Sequence, residues 1–187
     1  MKFLIAGLGN IGAEYAFTRH NVGFMVLDRL AAQNNLSFRT ERHSYVTELK
    51  YKGHQLILIK PTTYMNLSGK AINYWLQAEK IPIENLLVIS DDIALPFGKL
   101  RMKPKGTHGG HNGLRNIEEI LQTSVYPRLR FGVGDAFFKG RQIDYVLGKF
   151  NDSEMAEIIE RLDKAEDRKS TRLNSSHHAI SRMPSSA

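Results

Sequence analysis

The chain contains no cysteine. That excludes disulfides, thiolate zinc sites and a cysteine nucleophile, and it suits a reducing compartment, so a cytoplasmic protein is expected. It also lacks any apolar run near the ~18 to 20 residues that a bilayer-spanning helix needs. The opening MKFLIAGLGN reaches a glycine-rich loop too early for the apolar region of a signal peptide, and no membrane partner is expected. There is no G-x-S-x-G elbow for a serine nucleophile and no helical His pair at metal-ligand spacing. Internal repeats are absent too. These gaps leave a globular protein whose chemistry must come from His, Asp, Asn and backbone groups.

The length of 187 residues with 42% hydrophobic and 24% charged side chains fits one domain with a substantial core. Acidic residues are missing from one place in particular. The last twenty residues, RKSTRLNSSHHAISRMPSSA, hold four basic residues, six serines and no acid. Setting those four aside, 22 of the 26 Lys and Arg remain against 19 acids, so the net charge of +7 falls to +3. The body is only mildly basic, and clustering of its basic residues matters more than their sum. The serine-rich end has no strand or helix periodicity and resembles read-through or adapter sequence. Residues 168–187 are expected to be a disordered tail on a domain of residues 1–167.

Within that domain, strand and helix patterns alternate. KFLIAG reads as a buried strand, and 21–36 as a helix with Val22, Val26 and Leu30 on one face. SYVTELKY and HQLILIKP, joined at Lys52-Gly53, read as a hairpin. SGKAINYWLQAEK reads as a helix with Ser68 as N-cap. NLLVIS and GKLRMK are strands, LRNIEEILQT a helix and RLRFGVG a strand. A final amphipathic helix runs from Asn151 to about Arg168, with Asn151 and Glu154 as a capping box. The sum is a single α/β domain, a twisted mixed β-sheet flanked by helices on both faces. Ligands of such folds sit beyond the carboxyl ends of strands. Four strand ends carry Asn10, then 61–66, then Asp91-Asp92, then 132–135, which places the unusual polar residues on one rim.

GLGNIG contains G-x-G-x-x-G at Gly7, Gly9 and Gly12 behind the first strand. One reading is a dinucleotide-binding turn, with Asp28 at about the distance of the ribose-binding acid. Against it, Asp28 falls inside the expected helix, and the polar residues after Gly12 suit a loop. The other reading is a tight turn that carries His20. An Asp at 91 or 92 could accept the N–H of a histidine, fix its tautomer and stabilise its imidazolium. GTHGGHNG, with four glycines in eight residues, lets a backbone approach a ligand and supplies Asn112. His108 and His111 invite a metal reading, but no third ligand stands nearby and no metal is expected. Tyr64, Met65 and Asn66, between a strand and a helix, suit a stacking wall for a nucleic-acid end. Lys99, Arg101, Lys103 and Lys105, with Arg128 and Arg130, are either a solvated basic strand or a phosphate-contacting one.

Together the segments GLGN, EYAFTRHNVGF, KPTTYMNLSGKA, DDIALPFGKLRMK, GTHGGHNGLRNI, YPRLRFGVG and YVLGKF, in this order over residues 3–166, resemble bacterial-type peptidyl-tRNA hydrolases. The resemblance implies hydrolysis of the ester between a peptide and the 3′-terminal ribose of tRNA, without a cofactor, by a monomer whose partner is tRNA carrying a peptide. It implies His20 as general base, Asp91 as its supporting carboxylate and Asn10 as a contact to the peptide end. Tyr15, Tyr64, Asn66 and Asn112 match substrate-contacting positions, and Met65 and His111 match pocket wall and support. Lys103 and Arg130 match positions associated with tRNA phosphate. The chain departs from the family at Ile11, where Pro is usual, at Ser90 and Asp92, where His and Glu are common, and past residue 166, where a helical stretch is replaced by the serine-rich end. Two other functions stay open at this point: an RNA-binding protein of the same fold without hydrolysis, and a nucleotide-dependent oxidoreductase.

Overall fold

The first strand, β1 (Lys2–Gly7), explains the layering by itself. Its alternating side chains put Leu4 and Ala6 into one buried cluster and Phe3 and Ile5 into another, as the two-residue period of a strand requires. In this computed structural model residues 1–175 are described, with side chains through Asp163.

β1 pairs in parallel with β4 (His54–Pro61) and β5 (Leu86–Asp92), and β5 pairs in parallel with β7 (Arg128–Gly132). Antiparallel strands complete both sides: β3 (Ser44–Tyr51) on β4, β2 (Arg39–Glu41) on β3, and β6 (Leu100–Lys103) on β7. The seven-stranded order is β2-β3-β4-β1-β5-β7-β6. The expected mixed sheet and its hairpin are therefore present.

Helices cover both faces. α2 (Ser68–Ala78) and α3 (Asn112–Leu121) bury Ile72, Trp75 and Ile117 against Leu4, Ile57 and Val88. On the other face α1 (Val22–Gln33) sets Leu27 against Phe3, Leu58 and Ile89. A short α4 (Gln142–Val146) precedes α5 (Asp152–Ser175), whose Ile158 joins Val22, Phe131, Val133 and Phe150 in a third cluster. α5 is tied to α1 by Arg29, which meets both oxygens of Asp163 at 2.9 and 3.0 Å. Among the described residues no helix is long and apolar enough to cross a membrane.

Local signals held at some helix ends and failed at others. Asn151 and Glu154 exchange side chain-to-backbone bonds of 2.8 and 3.0 Å, the expected capping box. Ser68 is not an N-cap; it begins α2, and its hydroxyl donates back to the Met65 carbonyl at 2.7 Å because a 3-10 turn, Met65–Leu67, leads into the helix. The backbone of α5 runs to Ser175, past the end expected near Arg168, since no Gly or Pro interrupts it. The rest of the expected disordered tail, 176–187, lies outside the described residues.

The glycine motif resolves against a dinucleotide turn. Gly12, at φ 112°, opens onto two 3-10 turns, Ala13–Tyr15 and Arg19–Asn21, instead of a helix N-terminus. Asp28 lies within α1 and pairs with Lys60. Gly7 is needed for packing, since a Cβ there would lie 2.3 Å from the Gly23 carbonyl oxygen.

Candidate active site

The parallel strands β1, β4, β5 and β7 all end on one side of the sheet, and the cleft opens there. Asp91, near the end of β5, is buried with its side chain 2% exposed. The turn that leads into α1 brings His20 over it, so that Nδ1 lies 2.9 and 3.0 Å from the two carboxylate oxygens. His111 Nε2 also meets Oδ1, at 2.8 Å. One carboxylate thus holds two imidazoles, whose ring centroids are 4.9 Å apart.

Hydrogen bonding assigns both tautomers. His111 is the N-cap of α3, and its Nδ1 accepts from the N–H groups of Gly113 and Leu114 at 3.1 and 3.2 Å. Its proton is therefore on Nε2, where it is donated to Asp91. His20 donates from Nδ1, so in the neutral ring Nε2 keeps its lone pair for the cleft. Burial disfavours a charged His20, but the Asp91 charge and hydrogen bond outweigh it and raise the His20 pKa from 6.5. Burial likewise pushes Asp91 up, while the His20 and His111 rings and their hydrogen bonds prevail and hold it well below the usual carboxylate range. The arrangement is a base backed by a permanent anion.

His20, Asp91 and His111 also offer possible ligand atoms within 4.8 Å of one another. A cation there would have to separate Asp91 from both histidines, since the facing nitrogens carry the protons of these hydrogen bonds. The sequence pair His108 and His111 is no better suited. Each uses Nδ1 on its own loop, His108 accepting from the Gly110 N–H at 3.0 Å.

Asn10 stands beside the histidines and is held on three atoms. Its N–H donates to Asn21 Oδ1 and its carbonyl accepts from Asn21 Nδ2, each at 2.8 Å, while its Oδ1 accepts the Met65 N–H at 2.7 Å. The side-chain NH2 is thereby left for a ligand. The Met65 end of this link follows Tyr64, a non-glycine residue at φ 63° and ψ 160°, a conformation that costs about 1–3 kcal/mol and persists where surrounding contacts over-determine it.

The cleft has a volume of about 610 Å³. It gathers Asn10, His20, Met65, Asn66, Asp91, His111 and Asn112, with Lys103 and Arg130 further along the wall. Arg130 Nε is tied to Asp92 Oδ2, which steadies the guanidinium. Tyr15 and Tyr64 are not in this lining; Tyr64 is half exposed. Residues 132–135 are also absent from it, because Val133 and Gly134 turn back to bond the carbonyls of Asp92 and Leu95.

Sequence reading missed Asn21, the orienter of Asn10, which an Asn next to the candidate base hinted at. It missed the apolar wall of Ile143, Val146 and Leu147 from α4, too short to show a period. It did not see that Arg128 lies 1% exposed, with its guanidinium on the carbonyls of Thr107 and Ser124 beneath the glycine loop.

The α/β fold thus brings a histidine–carboxylate pair and side-chain amides together in one cleft. The model of the family described as peptidyl-tRNA hydrolase matches residues 4–186. A peptidyl-tRNA hydrolase of Cytophaga hutchinsonii is 59% identical over 167 residues, covering 89% of each chain. One from Bacteroides fragilis is 59% identical over 165 residues, 88% of each. The crystal structure of peptidyl-tRNA hydrolase from Acinetobacter baumannii superposes with a TM-score of 0.83 at 33% identity, over 96% of this chain and 94% of that one. The chain belongs to the peptidyl-tRNA hydrolase family.

Proposed function

We propose that the chain, as a peptidyl-tRNA hydrolase, cleaves the ester between a peptide or N-blocked aminoacyl group and the 3′-terminal ribose of tRNA by a water that His20 deprotonates. The observation that carries this reading is His20 itself: Nδ1 bound to a buried anion at 2.9 Å and Nε2 left for the cleft. The water gives its proton to Nε2 and its oxygen adds to the ester carbonyl. The amides of Asn66 and Asn112, which line the cleft, donate to the oxyanion. The intermediate then expels the ribose 3′-oxygen, which takes the proton back from the imidazolium. An ester needs no stronger nucleophile, so the lack of an activated Ser or Cys is no obstacle.

Asn10 takes the peptide end through its free NH2. Met65 and His111 serve as wall and support, and Lys103 and Arg130 meet tRNA phosphate. Tyr15 and Tyr64 contact substrate only where it extends beyond the cleft. No cofactor or metal takes part, and the protein acts in the cytoplasm as a monomer. Lys103→Ala is expected to weaken tRNA binding without base preference and to lower the salt slope of log K by about 1. An unchanged slope in a binding titration across salt would remove Lys103 from the phosphate contacts.

The test of the whole reading is release of N-blocked aminoacyl groups from tRNA, with unblocked aminoacyl-tRNA as control. Selective release supports it. Binding of tRNA by the folded chain without release overturns it in favour of an RNA-binding protein on this fold.

A further inference from the structure

The segment YVLGKF, Tyr145 to Phe150, gives the cleft wall Val146 and Leu147 but no group to the proposed chemistry, yet the His20 loop is fastened to it. Phe150 N–H donates to the Phe17 carbonyl and Arg19 N–H to the Gly148 carbonyl, both at 3.0 Å. Between them Thr18 and Lys149 form an antiparallel bridge. The Arg19 side chain then crosses the same corner. Its Nη1 donates to the Tyr145 carbonyl at 3.2 Å and its Nη2 to Glu154 Oε1 at 3.3 Å. Its guanidinium carbon lies 4.1 Å from the centre of the Tyr145 ring and 5.6 Å from that of Phe150. Both ionic side chains are largely buried, 15% exposed for Arg19 and 18% for Glu154.

The same Glu154 oxygen accepts the Asn151 N–H in the capping box, so one carboxylate joins the start of α5 to the residue before His20. Space is closed around the contact as well: a Cβ on Gly148 would lie 3.0 Å from Arg19 Nη1. The loop's own bonds are local, Thr18 N–H to the Tyr15 carbonyl at 3.1 Å and Asn21 N–H to the Thr18 carbonyl at 3.0 Å. Its Arg19–Asn21 turn has three residues, and the preceding Phe17 is 56% exposed at φ 62°. A planar guanidinium can stack on a ring and donate sideways to a carbonyl and a carboxylate at once, which an ammonium cannot.

We propose that Arg19 is a positioning residue for His20, locking its turn to α4 and to the first turn of α5 so that Nδ1 meets Asp91. The kinetic consequence rests on the hydrolase reading; the placement of the ring does not.

The experiment compares wild type with Arg19→Ala, Arg19→Lys and Gly148→Ala. It measures release from N-blocked aminoacyl-tRNA, tRNA affinity, melting temperature and the titration of the His20 ring by NMR. In Arg19→Ala, kcat is expected to fall about 10- to 100-fold, in line with the cost of misplacing a catalytic group by an ångström, with tRNA affinity within about twofold. Arg19→Lys should recover part of the loss, and Gly148→Ala should resemble the alanine variant more mildly. The His20 titration should move down toward 6.5, because Asp91 is met less well. That direction is diagnostic: deleting a neighbouring cation would by itself move it up, and Asp91 and His111, the other titratable groups facing the ring, are untouched. A folded Arg19→Ala with unchanged kcat, or with a His20 titration that stays put or rises, overturns the proposal. If wild type releases nothing, the hydrolase reading fails, and the titration alone decides where Arg19 places the ring.

Discussion

His20→Ala is expected to lower the rate of release by at least ~10²-fold, the usual worth of a general base, while leaving the chain folded and able to bind tRNA. Asp91→Asn should be of the same order or worse. An Asn presents an NH2 as well as a carbonyl to two imidazoles that both donate to position 91. Turned toward His20, that NH2 would place the imidazole proton on Nε2, where the lone pair is needed. The pH profile separates the two effects. The base must be unprotonated, so wild-type activity falls as pH drops through the His20 pKa, which lies above the ordinary 6.5. Without the anion the imidazolium loses its support, and the residual activity of Asp91→Asn should keep its plateau to lower pH. A His20→Ala enzyme as fast as wild type, or an acid limb that moves upward in Asp91→Asn, would remove the pair from the reaction.

Gly7→Ala is expected to cost about 3 kcal/mol or more, at the upper end of overpacking changes. A Cβ at Gly7 would meet the Gly23 carbonyl oxygen at 2.3 Å, its carbon at 2.8 Å and Leu27 Cδ1 at 2.9 Å. Two of these atoms are backbone, so relief requires α1 to move off β1, and α1 carries the end of the His20 turn. At about 2–4 °C per kcal/mol for a chain of this size, the melting temperature should fall by roughly 6–12 °C. Gly53→Ala, in the open β3–β4 turn at φ 79° with no atom within 4 Å of the added Cβ, should cost only about 1 kcal/mol. Equal melting temperatures for the two variants would show that α1 is free to shift.

That contrast explains why the sequence was legible in some places and not in others. β1, β4 and β5 announce themselves because buried parallel strands are apolar throughout. The capping box at Asn151 and Glu154 was legible because it involves four consecutive residues. The three glycines of the motif were ambiguous, since a dinucleotide turn and a close helix–strand approach demand the same missing side chain. What makes Gly7 a packing residue is Gly23, sixteen positions away and visible only once α1 is laid on the sheet. The family likeness nominated His20, Asp91 and Asn10, but not that Asp91 serves two rings, that His111 is also the cap of α3, or that Asn21 holds Asn10. Those facts depend on which lone pair each nitrogen spends. Tyr15 and Tyr64 show the reverse limit, being matched by motif and yet outside the cleft.

β6 has a second consequence for the molecule. It is an edge strand of only four residues, and its outer row of N–H and C=O groups is the kind of surface onto which another strand can add. Arg101 and Lys103 sit on it, next to Lys99 and Lys105, so two copies approaching edge to edge would bring like charges together. That repulsion opposes growth of the sheet across molecules. If Lys103 meets tRNA phosphate as proposed, solubility and substrate affinity draw on the same few charges, and a chain that gave them up would expose its sheet to self-association.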